Sequence, residues 1–62
     1  MSNKKEDILK FLKQFGRMPT SKIGVLVGCD SKSVLKYLEE LLEEDKVIKE
    51  EETNAMYWKI KI

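Results

Sequence analysis

Residues 20–44, TSKIGVLVGCDSKSVLKYLEELLEE, decide how this chain folds. The first eight read as a short helix, from Thr20 or Ser21 to Val27, that turns Ile23, Leu26 and Val27 inward. Gly24 weakens such a helix by about 1 kcal/mol relative to alanine, a cost that makes sense where another element crosses too closely for a side chain. Gly28 ends the helix, and Gly28-Cys29-Asp30 turns the chain toward a new N-cap at Ser31, with Asp30 as the competing cap. From Lys32 to Glu44, Val34, Leu38 and Leu41 form one apolar seam with Tyr37 beside it, while Leu35 and Leu42 fall on an adjoining flank. Two helices joined by a tight turn are the result.

Outward from this pair, residues 5–15 repeat Ile8, Leu12 and Phe15 at helical spacing, widened by Leu9 and Phe11. Ser2 or Asn3 caps this helix, Gly16 supplies its C-cap, and Pro19 prevents simple continuation. On the other side, Val47 and Ile48 mark a short strand, and AMYWKIKI, residues 55–62, alternates Met56, Trp58, Ile60 and Ile62 against Tyr57, Lys59 and Lys61. The intervening EEETN, residues 50–54, suits a hairpin tip in which Asn54 takes a left-handed conformation. Three helices followed by a C-terminal β-hairpin define an α+β chain, read as one domain over residues 1–62.

A chain of 62 residues has little room for a catalytic cleft. Its carboxylate pairs, Glu6 with Asp7 and Glu39 with Glu43, come without an evident substrate pocket, and no phosphate-cradling glycine loop is present. With no histidine and one cysteine, neither a metal centre nor a nucleophile–base pair can be assembled from those residues, and Cys29 reads as a small core residue. The expectation is a non-enzyme without cofactor or metal. A single cysteine, no apolar run of membrane-spanning length and no hydrophobic leader point to a reducing, cytoplasmic setting away from membranes.

The formal charge is +1, yet residues 1–36 carry eight bases against three acids and residues 37–62 four against eight. Such a split can orient an encounter with a polyanion although the total is almost neutral.

With the elements in place, residues 17–45 resemble a helix-turn-helix and residues 5–62 resemble a winged helix-turn-helix domain. Ile23 followed by Gly24, then Val27, Gly28 and Cys29 at the turn, and Val34 and Tyr37 beyond it carry the likeness. The resemblance implies that the helix from Ser31 is a recognition helix whose N-terminal half enters a DNA major groove, with residues 50–54 as the wing tip. It nominates Ser31, Lys32, Ser33 and Lys36 for DNA contact, and Thr20 and Lys22 as phosphate contacts from the preceding helix. Double-stranded DNA is the implied partner and transcription regulation the implied role.

The chain's end is also similar to small winged domains that bind left-handed nucleic acid, since Trp58 matches the tryptophan that follows their wing. The likeness stops there. Their recognition-helix asparagine falls at Leu35, their tyrosine at Glu39, and their prolines at Ala55 and Met56 or the immediate neighbours, so Z-form binding is not carried over.

Leu35 either widens the packing stripe of its helix or lies on an exposed surface, where it can meet a protein or a thymine methyl group. Leu42 lies on nearly the same side, and the two together offer a homodimer strip. Trp58 closes the core beneath the helices or leaves its indole N–H at the surface for phosphate. Glu50, Glu51 and Glu52 are ill suited to a DNA groove. They define the competing reading, a protein-interaction module that engages a partner through the acidic wing and helix end.

Overall fold

The computed structural model describes residues 3–61. The elements run α1 (Lys4–Phe15), β1 (Met18–Pro19), α2 (Thr20–Val27), α3 (Ser31–Glu43), β2 (Val47–Glu52) and β3 (Ala55–Ile60). Asn3 caps α1 by accepting the Lys5 N–H at 2.9 Å, which satisfies one of the free donors at a helix start. Ser2, the other cap expected, lies outside the described residues, as does Ile62.

All three helices place their expected seams in one core: Ile8 and Leu12 from α1, Ile23 and Val27 from α2, Val34, Leu38 and Leu41 from α3. Met18, Val47 and Trp58 complete it from the sheet. Two members of the expected stripes stay outside. Phe15 is mostly exposed and stacks on Phe11 with ring centroids 6.1 Å apart, because α1 ends at Gly16 before its last turn reaches the core. Leu26 is likewise exposed, since α2 is so short that Ile23, Gly24 and Val27 use up its inward arc.

Gly24 stands where the chain passes closest to itself. A Cβ there would lie 3.0 Å from the Cys29 carbonyl oxygen and 3.5 Å from Val34 Cγ2, so the turn into α3 and α3 itself both press on α2. Gly24→Ala would gain about 1 kcal/mol in helix propensity but force a backbone carbonyl aside, an overpacking cost of about 1–3 kcal/mol. A net loss of about 1 kcal/mol is expected, read as a lower midpoint in urea denaturation.

Asp30, not Ser31, caps α3: its carboxylate accepts the Ser33 N–H at 3.2 Å. Asp has the same short acceptor as serine, and the extended backbone at residue 30 lets the helix begin one residue earlier than expected.

The sheet departs further from the sequence reading. It has three strands in the order β1-β3-β2, because Met18 and Pro19 pair antiparallel with Trp58 and Tyr57. Along the hairpin, Glu50, Glu51 and Glu52 pair with Tyr57, Met56 and Ala55, so the glutamates are strand residues and Thr53-Asn54 alone makes the turn. Asn54 is not left-handed. Among non-glycine residues described, the positive φ belongs to Asp45, at 63°, where α3 gives way to β2 and the Asp45 and Lys46 N–H groups return to the Leu42 and Leu41 carbonyls.

Candidate nucleic-acid interface

The start of α3, the start of α2 and the tip side of the wing line a groove of about 610 Å³. Thr20, Ser31, Lys32 and Leu35, four of the residues singled out in the sequence, meet in it. Pro19, Ser21, Asn54, Ala55 and Met56 line it too, and none of these was nominated from the sequence as a contact residue. The signal was weak, since β1 is only two residues long and positions the groove by pairing rather than by any periodic pattern.

Trp58 lies wholly in the core, and its Nε1–H donates to Thr20 Oγ1 at 2.8 Å. The indole is thus spent within the fold, and the Thr20 hydroxyl acts first as its acceptor, keeping its own proton for a second partner. Ser33 is half-buried, and its hydroxyl and N–H hold the Asp30 carboxyl below its ordinary range. Of the α3 candidates, Ser33 is therefore committed to the cap, while Ser31 remains exposed at the groove.

Lys22, Lys32 and Lys36 are exposed and form no ion pair among the described residues. Lys32 and Lys36 stand one turn apart on α3, and Lys22 follows the groove residue Ser21 on α2. Leu35, 36% exposed, sits between the two α3 lysines in sequence. Leu42 is exposed two turns farther along α3 and outside the groove.

The acidic half is arranged otherwise. Arg17 Nη1 reaches Glu50 at 3.2 Å and Glu52 at 3.0 Å, and its guanidinium carbon lies 4.6 Å from the Tyr57 ring centroid. Glu50 also meets Lys59 at 3.3 Å, and the Arg17 and Lys59 hydrogen bonds hold its carboxyl below the usual carboxylate range. At the far end of α3, Lys5 bridges Glu40 and Glu44; its bond to Glu44 raises the ammonium and lowers the carboxyl. Such exposed pairs add little stability singly. What they change is the field: much of the acidity that looked free in sequence is neutralised within the chain. Arg17, the one arginine, was the residue that sequence reasoning missed, because its partners lie more than thirty positions away.

The described residues include no group of three or more potential metal ligands and no helix long and apolar enough to cross a membrane. Cys29 is half-buried beside the core rather than fully inside it.

Three helices and a small antiparallel sheet ending in a β-hairpin wing define a winged-helix domain. Solved structures share the arrangement. The Zalpha domain of Carassius auratus PKZ, in complex with Z-DNA, is 24% identical over 94% of this chain and 92% of its own, with a TM-score of 0.85. The adhesin competence repressor AdcR of Streptococcus pyogenes is 20% identical over 98% of this chain, with a TM-score of 0.87. Lactococcus lactis ZitR in complex with DNA is 22% identical over 98%, with a TM-score of 0.86. The chain spans 47% of AdcR and 43% of ZitR, so it is similar to one part of each. No protein-family model matches the sequence, and no curated protein sequence does.

Of the positions where the sequence departs from the winged domains that bind left-handed nucleic acid, Leu35 and, where the prolines fall there, Ala55 and Met56 line this groove, and Glu39 does not.

Proposed function

We propose that this chain binds duplex DNA reversibly through the N-terminal half of α3 and serves in transcription regulation. The observation that carries the reading is the division of charge: among the described residues Lys22, Lys32 and Lys36 are unpaired on the helix-turn-helix, whereas Glu40, Glu44, Glu50 and Glu52 are engaged by the chain's own cations. Unpaired lysines release counterions when they meet phosphates, which supplies affinity without reading a base. The Ser31 hydroxyl and the free proton of Thr20 provide further phosphate contacts at the groove. Two DNA-bound winged-helix structures of similar backbone and one repressor of this shape support DNA binding.

Z-form binding is not carried over, because Leu35 and Glu39 stand where the winged domains that bind left-handed nucleic acid have their asparagine and tyrosine, so right-handed duplex is the proposed ligand. One recognition helix reads few base pairs, and the exposed Leu42, outside the groove, provides a contact for a second copy. The competing protein-module reading loses much of its electrostatic premise, because Glu50 and Glu52 are already held by Arg17.

A duplex titration across a salt series tests the proposal. Affinity should fall steeply as salt rises, with a slope of log affinity against log salt of about −0.9 for each phosphate neutralised. Absence of a complex at low salt would remove DNA as the ligand.

A further inference from the structure

On the outward surface at the start of α3, Ser31, Lys32, Ser33, Leu35 and Lys36 succeed one another, and Leu35 alone is apolar. It is exposed, yet it borders the groove whose other apolar members are Pro19, Ala55 and Met56. The helix has no arginine, asparagine or glutamine to read guanine or adenine in bidentate fashion. Arg17, which could do so, is occupied by Glu50, Glu52 and Tyr57.

Within the major groove, the apolar group on a base edge is the thymine C5-methyl. Resting on the DNA-binding reading, we infer that Leu35 is a specificity-determining residue that packs against a thymine methyl, with Ala55 and Met56 screening that contact from water. Lys32 and Lys36, on either side of it in α3, hold the strand by its phosphates, so affinity and base preference reside in different side chains. The preference is for A·T pairs, read by their methyl group rather than by hydrogen bonds. Removing a methyl from such a contact weakens binding by about four-fold, the effect of withdrawing one buried hydrocarbon group.

The test compares an alternating adenine–thymine duplex with the same duplex made with deoxyuridine in place of thymine. The wild-type chain should favour the thymine duplex by about four-fold or more. Leu35→Ala, at an exposed position and checked for folding by circular dichroism, should bind the two duplexes equally while retaining the wild-type salt slope. Equal binding of both duplexes by the wild-type chain would overturn the inference and leave DNA binding standing. A thymine preference that survives in Leu35→Ala would remove Leu35 as its source. Failure to bind either duplex at low salt would overturn the DNA reading and this inference together.

Discussion

Lys32→Ala with Lys36→Ala is expected to lower duplex affinity by roughly 10- to 100-fold near 0.1 M salt and to flatten the salt slope by about 2. Two phosphate contacts account for both numbers, since each contributes about 0.9 to the slope and nearly a decade of affinity at that ionic strength. Both side chains are exposed and without ion pairs among the described residues, so the fold should be untouched and the loss should be one of binding. Lys10 and Lys13 provide the control, being exposed bases on α1, away from the α2–α3 groove. Replacing them should leave the slope near the wild-type value. An equal loss from the two pairs would mean that total charge rather than the α3 face holds the DNA.

The second large effect concerns stability. Trp58 is the largest fully buried side chain, and truncating such a residue to alanine costs about 3–5 kcal/mol. A chain of this length has about 3–9 kcal/mol to lose, on the usual scale of stability per residue. Trp58→Ala should therefore lose about a third or more of its stability, read as a strongly lowered urea midpoint and, at the low end of the range, as loss of the folded circular dichroism signal. Thr20→Val separates packing from hydrogen bonding: it keeps the side-chain volume but leaves the indole N–H without its acceptor, at a cost of about 1–3 kcal/mol. A Trp58→Ala chain that melts like the wild type would show that the core closes without its tryptophan.

The helical part of the fold was legible because its apolar residues recur at a period that no other local structure satisfies. Ile8, Leu12, Ile23, Val27, Val34, Leu38 and Leu41 all lie where that period puts them. The limits were reached where elements are short or partners distant. A two-residue strand at Met18–Pro19 has no period to detect, and its existence depends on β3 lying alongside. Glu50–Glu52 read as a loop because charge is usual in loops. They extend a strand because Arg17 and Lys59 offset Glu50, Arg17 reaches Glu52, and the β3 backbone offers pairing up to Ala55.

The candidate site divides in the same way. Lys32 and Ser31 follow from the place of α3 in a helix-turn-helix, and Leu35 could be recognised as ambiguous but not resolved. Its neighbours across the groove, Ala55 and Met56, come from the other end of the chain. Only the fold brings them within one surface. Ser33 and Thr20 show the converse: residue types suited to phosphate contact also serve the cap of α3 and the indole of Trp58.

The bond between Trp58 and Thr20 gives the molecule an optical property. Trp58 is the sole tryptophan, its side chain is buried in the core, and its one polar side-chain atom bonds to the hydroxyl of Thr20, a residue that lines the groove. A strand settling against Thr20 would perturb the hydrogen bond that sets the indole's emission, without touching the ring. If DNA occupies the groove as proposed, intrinsic fluorescence of the unlabelled wild-type chain should report it, and Thr20→Val should uncouple the reporter from that surface.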